Sequence, residues 1–358
     1  MTPRDDLIAA LERRQPAGAV PVWELEFQAW DTASGKHVVL GHEFASLSRG
    51  EQERALVDNA EIMLRVSQEM HYAAVTAPNA YWEIAPGVAA YYWLPEEFRF
   101  RQMEVLHKLA PADLMLVAGI GGVLAMPAAN EYVEFSYKLY DAPEEIDERA
   151  HASLERGLDQ AKRVRDCGIE IAETSSDIAD NHGPFFKPVQ MERFILPYLR
   201  RWAEACRNMG LYTVMHSDGD LAPCLDGIAA SGVHALQAID PIAGMDLLAT
   251  KQRVGDRLCL CGNIDCGLLV SGSPDEVYAE TRERLLTCKA GGGLVLGASN
   301  AVQPEVPIEN YCAMLAAWRD HGQYGADNSA ADSGLTGRGS DAAAKATLSC
   351  VGRGSSHD

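Results

Sequence analysis

Short apolar segments rich in β-branched residues alternate along the chain with longer stretches of helical periodicity. Eight segments read as strands: Ala19 to Leu25, Ala73 to Thr76, Leu114 to Ala118, Gly168 to Ala172, Leu211 to His216, His234 to Ile239, Leu258 to Gly262 and Gly293 to Gly297. Between them the pattern predicts helices over Glu51 to Met70, Ala142 to Asp166, Pro188 to Met209, Leu221 to Ser231, Ser273 to Ala290 and Pro307 to Asp320. Ser273-Pro274-Asp275-Glu276 and Pro307-Ile308-Glu309 are good helix starts, with a capping residue or an early proline followed by acids. Parallel strands need long crossovers, so this alternation predicts a parallel α/β fold, and eight strands suit a closed (β/α)8 TIM barrel. An open doubly wound sheet is the competitor. It lacks its signature here: no Gly-x-Gly-x-x-Gly turn follows the first strand, and Gly119-Ile120-Gly121-Gly122 has no phosphate-binding helix after it.

The 358 residues exceed the roughly 250 of a typical barrel. The expected division is one barrel domain over 1–324 and a disordered, Ala/Gly/Ser/Asp-rich tail over 325–358, where apolar periodicity stops. No apolar run approaches the roughly 20 residues of a membrane span. The start, Met1 to Asp6, carries no apolar signal-peptide core, so a soluble cytoplasmic protein without membrane contact is expected. A net charge of −20, from 51 acidic and 31 basic residues, argues against nucleic acid as a partner and leaves small molecules. Nine cysteines, scattered and without a Cys-x-x-Cys pair, read as free thiols in a reducing compartment.

Functional groups of a (β/α)8 enzyme collect at the carboxyl ends of its strands. Those positions here hold Glu24 and Glu26, then Glu173 to Asp177, His216-Ser217-Asp218-Gly219, Asp240-Pro241, Gly262-Asn263-Ile264-Asp265-Cys266 and Ala298-Ser299-Asn300. His216 and Asp218 are two residues apart on extended chain, so their side chains point the same way. Such a pair binds a metal, or serves as an imidazole oriented by a carboxylate for proton transfer. A metal needs at least one more ligand, for which Glu24, Asp177, Asp240 and Cys266 are candidates. His216, Asp218, Asp177 and Asp240 are therefore the candidate catalytic residues. Phe185-Phe186 are candidates to wall an apolar pocket, and Glu24, Asn263, Asp265, Ser299 and Asn300 to line a substrate site.

A set of short motifs then carries a family resemblance. It comprises Val20-Pro21-Val22-Trp23-Glu24, Ser176-Asp177-Ile178-Ala179, Gly183-Pro184-Phe185-Phe186, His216-Ser217-Asp218-Gly219, Asp240-Pro241-Ile242-Ala243-Gly244, Gly262-Asn263-Ile264-Asp265 and Pro304 to Asn310. In this order the chain resembles the uroporphyrinogen decarboxylase (URO-D) superfamily, and within it the methyltransferase-like branch. The resemblance implies a (β/α)8 barrel with a cleft at the carboxyl ends of the strands.

It also implies a choice of activity. The decarboxylases carry an arginine-rich loop after the first strand that grips a polycarboxylate, whereas this chain reads Glu24-Leu25-Glu26-Phe27-Gln28-Ala29-Trp30. Glutamates there repel such a substrate. The resemblance thus points to a methyltransferase, moving a methyl group between a small methylated substrate or cofactor and a corrinoid protein; uroporphyrinogen or other carboxylic acid decarboxylation is the alternative. The thiol-activating members bind zinc through His-x-Cys and a later Cys. Here those places hold His216, Asp218 and Gly297-Ala298-Ser299-Asn300, so an oxygen- and nitrogen-rich zinc site and a metal-free pair both remain open.

Overall fold

The computed structural model describes residues 2–325; the expected tail lies outside them from residue 326 onward. Seven parallel strands form one sheet in chain order. They are β1 (Ala74–Thr76), β2 (Met115–Gly119), β3 (Ile171–Ser175), β4 (Tyr212–His216), β5 (Ala235–Gln237), β6 (Cys259–Cys261) and β7 (Leu294–Val295). The expected first strand closes the ring as an eighth stave, with Val22 bridging in parallel to Tyr72 on one side and Leu296 on the other.

That stave lacks a regular ladder, and the residues explain why. Pro21 has no N–H to give. Further along, side chains replace backbone: Thr76 Oγ1 donates to Glu24 O at 2.9 Å, and Ala298 N–H donates to Glu24 Oε2 at 2.9 Å. The result is a TIM-barrel-like fold.

Helices cover the outside in every crossover where the pattern placed one, and two more, Glu96–Leu109 and Leu247–Val254, fill crossovers for which it named none. Arg49–Glu69 starts two residues before the expected Glu51 because Ser48 and Glu51 form a capping box ahead of it. The stretch expected as one helix over 188–209 is composite: Pro188–Gln190, a π-helical turn over Met191–Ile195, then Leu196–Asn208. Pro197 has no N–H for the ladder, and the wider turn just ahead of it absorbs the mismatch. The fourth predicted strand is also corrected. Gly168, at φ +89, forms the turn out of the preceding helix, so the strand runs from Ile171 to Ser175 and takes Glu173 inside it.

The barrel interior is a small apolar core of its own. Met115, Val117, Ile171, Val214, Ala235, Cys259, Cys261 and Val295 point inward, and Leu7 and Leu11 of the helix Pro3–Leu11 close the amino-terminal end. Each fully buried leucine contributes about 1.5–3 kcal/mol. Strand side chains alternate with period two, so the inward face that carries Val117, Ile171, Val214 and Ala235 carries Gly119, Glu173, His216 and Gln237 one layer higher. The apolar plug thus becomes a polar floor at the carboxyl end. No helix among the described residues is long and apolar enough to cross a membrane.

Candidate functional site

The floor is centred on His216, the last residue of β4, which is 5 % exposed. Its Nε2 faces Asp177 Oδ1 at 3.7 Å and Asp218 Oδ1 at 3.8 Å. Its Nδ1 contacts Gln237 Oε1 on the neighbouring strand β5. Asp218 N–H donates to Asp177 Oδ1 at 3.0 Å, and Ile178 N–H donates to Ser217 Oγ at 3.1 Å. These two bonds tie the loop after β3 to the turn after β4 and fix the carboxylates beside the imidazole. Gly219 completes the turn at φ +89, where a Cβ would lie 2.6 Å from the Ala179 backbone.

Asn300 holds the far side of Asp218. Its Oδ1 accepts from Ala301 N–H at 2.7 Å, which turns Nδ2 towards Asp218 Oδ2 at 2.6 Å. Asp240 buttresses the same turn, accepting from Gly219 N–H at 3.2 Å and Ile242 N–H at 2.9 Å.

Two carboxyls that the sequence placed at strand ends without assigning a role adjoin this group. Glu173 is 1 % exposed, and its two oxygens share the hydroxyl of Ser175 at 2.9 Å. Glu26 is 7 % exposed and accepts from Asn79 Nδ2 at 2.6 Å and Gln28 Nε2 at 2.8 Å. Gly119 leaves the space between them: a Cβ there would lie 2.5 Å from Asn79 Oδ1 and 3.3 Å from Glu173 Oε2.

Among the described residues, the one basic side chain within ion-pair distance of this group is His216, which faces Asp177 and Asp218. Burial pushes Glu173 up to about 7 and Asp218 up to about 6, and raises Glu26 as well. Burial alone would lower His216, but Asp218, Asp177 and Glu173 outweigh it and raise the imidazole above its ordinary value.

Asp177, His216 and Asp218 place one oxygen, one nitrogen and one oxygen within 4.8 Å of one another. Bonds of about 2.1 Å set the ligands of a tetrahedral zinc roughly 3.4 Å apart, so a small contraction suffices. The donor set fits zinc or a harder divalent cation and offers no thiolate. Of the candidates for third ligand, Asp177 converges with the pair. Cys266 Sγ instead sits 3.5 Å from Ser299 Oγ and 3.7 Å from Ala301 O.

The remaining candidates lie in supporting positions. Glu24 is buried in the wall between the first stave and β7, accepting from Tyr311 Oη at 2.7 Å, with Tyr72 Oη 2.5 Å from Tyr311 Oη. Asp265 caps the helix Cys266–Ser271 through Gly267 N–H, and Ser299 Oγ accepts from Cys266 N–H at 3.4 Å. Asn263 Nδ2 donates to Ile239 O at 2.9 Å and braces a β-branched residue at φ +54 just ahead of Asp240. Phe185 and Phe186 belong to an aromatic cluster with Tyr132 and Phe135.

Gln237 and Asn79 were not named from the sequence, and Glu173 and Glu26 were named at strand ends without a role. The available signal for two of them was period-two alternation, which puts a polar residue on the inward face of an otherwise apolar barrel strand.

Comparison with known proteins supplies the relatives. Residues 170–321 match the family model described as uroporphyrinogen decarboxylase (URO-D). A uroporphyrinogen decarboxylase of Syntrophotalea carbinolica is 25 % identical over 187 residues, 51 % of this chain and 50 % of that one. A methylated-thiol–coenzyme M methyltransferase of Methanosarcina mazei is 27 % identical over 128 residues, 36 % of this chain and 32 % of that one. The chain thus spans half or less of the length of these curated relatives. Among solved structures, a methyltransferase from Methanosarcina mazei superposes with a TM-score of 0.67 at 17 % identity, covering 89 % of this chain and 99 % of that one, which shows a shared fold. The stretch 170–321 that matches the uroporphyrinogen decarboxylase family model runs from β3 to β7 and contains the Asp177–His216–Asp218 group.

Proposed function

We propose that the chain is a methyltransferase that moves a methyl group between a small methylated substrate or cofactor and a corrinoid protein, with Asp177, His216 and Asp218 as its polarising centre. The observation that carries this reading is the cation-seeking triad beside Glu26, Glu173 and Asp240, to which no arginine or lysine among the described residues is paired. At about 4 Å and an effective dielectric of about 20, each ionised carboxylate repels a substrate carboxylate by about 4 kcal/mol, and Glu26 and Glu173, whose carboxyls burial raises, add to this only where they have lost their protons. A polyanion is therefore disfavoured, and a neutral or cationic methylated compound is favoured.

Displacement at a methyl carbon turns on the leaving atom. His216 Nε2 faces the mouth between two carboxylates, where its N–H donates to a departing oxygen, nitrogen or sulfur, and Asp177 and Asp218 stabilise the imidazolium. The same three residues would hold a divalent cation, zinc by their donor set, which supplies Lewis-acid polarisation of that atom. Asn300 fixes Asp218 through Oδ2, and Asp177 is fixed through the Asp218 N–H. In-line approach requires the methyl donor or acceptor to come from above the barrel. The segment after β1, which includes a short hairpin, exposes Tyr81, Trp82, Ile84, Val88 and Tyr91, and the helix Tyr132–Asp141 after β2 exposes Tyr132, Tyr137 and Tyr140, apolar surface suited to a docking protein.

The test is spectroscopic: the protein is mixed with methylcobalamin or cob(I)alamin and a panel of thiols, pterins and methylated amines, ethers and thioethers. The proposal expects a cobalamin absorbance change that His216→Ala abolishes. No change across the panel, for wild type, would overturn it.

Decarboxylation is the second reading, supported by the family model and by Glu173, which keeps a proton near neutral pH to replace departing carbon dioxide. Tetrapyrrole binding seen by fluorescence quenching, with carbon dioxide release, would favour it over methyl transfer.

A further inference from the structure

A neutral histidine carries its proton on one ring nitrogen, and that choice decides what the other can do. Gln237, 1 % exposed, makes the choice for His216. Its Nε2 lies 3.2 Å from Ala298 O and 3.2 Å from Ser299 O. Both carbonyls only accept, so the amide NH2 must face them; the flipped amide would set its oxygen against two buried acceptors. The carbonyls are themselves pinned, because Ala298 N–H is held by Glu24 Oε2 and Ser299 N–H by Ile264 O at 2.7 Å. Oε1 is thereby the atom that meets His216 Nδ1. An amide oxygen cannot donate, so Nδ1 must.

We propose that Gln237 is a positioning residue that keeps a proton on His216 Nδ1 and so dedicates Nε2 to the barrel mouth. Nε2 is the nitrogen that faces Asp177 and Asp218. Every exchange of a proton or a cation at the ring is confined to that atom, and the buried carboxyl of Glu24 anchors the far end of the chain of contacts. A second histidine provides an internal contrast. Thr213 N–H donates to His234 Nδ1 at 3.1 Å, so that ring carries its proton on Nε2. The inference rests on His216 as a working group of the proposed centre, but its test reads the ring alone.

The experiment is long-range proton–nitrogen NMR of the full chain labelled with 15N-histidine, with His216→Ala and His234→Ala used for assignment. Wild type is expected to show a downfield, slowly exchanging proton on His216 Nδ1, and a bare Nδ1 on His234. Gln237→Met, of similar length but without an acceptor, loses the protected His216 proton and leaves His234 unchanged. Gln237→Glu restores an acceptor and retains the proton. An unprotonated His216 Nδ1 in wild type, or a protected proton that survives in Gln237→Met, overturns the proposal. If Gln237→Met unfolds, which the His234 signals report, wild type and Gln237→Glu still decide. Methyl transfer is not part of the readout, so a protein with the expected ring that moved no methyl would sink the functional reading and leave this one standing.

Discussion

Replacing Glu24 by Gln gives a stability change whose sign and pH window follow from the structure. Glu24 is 2 % exposed, and burial raises its carboxyl from 4.5 to about 8, against the opposing pull of the Ala298 N–H and Tyr311 hydroxyl. In the unfolded chain the group ionises near its ordinary value, so between pH 4.5 and about 8 the native state holds a proton that the unfolded state has released. Stability from this group is therefore complete below about pH 4.5 and is lost as pH rises through about 8. At about 1.4 kcal/mol per pH unit the loss is about 5 kcal/mol at most. Glutamine keeps the size and does not ionise. Urea unfolding of wild type and Glu24→Gln from pH 5 to pH 9 isolates the effect from the other titrating groups, since they are common to both. The wild type is expected to be the more stable at pH 5 by about 1 kcal/mol, the value of one hydrogen bond, and the less stable at pH 9. Parallel curves for the two proteins would refute the account of a neutral buried carboxyl.

Other perturbations act at the mouth and in the plug. Asn300→Ala removes the bond to Asp218 Oδ2 and should weaken divalent-cation binding by about 10- to 100-fold with little change in Tm, read by calorimetric titration. Gly119→Ala puts a methyl group 2.5 Å from Asn79 Oδ1; it should cost about 1–3 kcal/mol in urea unfolding and lower activity by displacing Asn79 from Glu26. Leu11→Ala opens a cavity beneath the barrel and should cost about 2–5 kcal/mol in the same assay, with the site's cation affinity unchanged.

The barrel was legible because its strands are short β-branched apolar runs separated by helical periodicity, a pattern that needs no tertiary information. What the pattern misplaced has local causes: the left-handed turn at Gly168 delayed the fourth strand, and Pro197 forced a π-helical turn into a stretch that reads as continuous helix. Asp177, His216 and Asp218 could be nominated since they follow adjacent strands, and topology alone brings adjacent strand ends together. A carboxylate at a strand end, however, looks the same in sequence whether it faces a pocket or serves the scaffold. Asp265 caps a helix, and Glu24 binds the opposite side of the barrel wall. Gln237 was missed, and Glu173 was named without a role, for the converse reason: each lies within a strand, and only the pleat reveals that it turns inward.

The central claim is that Asp177, His216 and Asp218 form one cation-holding centre. It is tested most directly by the metal content of protein purified without chelators, for wild type and His216→Ala. The account predicts about one divalent ion per chain in wild type, zinc foremost, and its loss in the variant. Wild type without bound metal, even after incubation with zinc, or a His216→Ala variant that retains it, would contradict the claim.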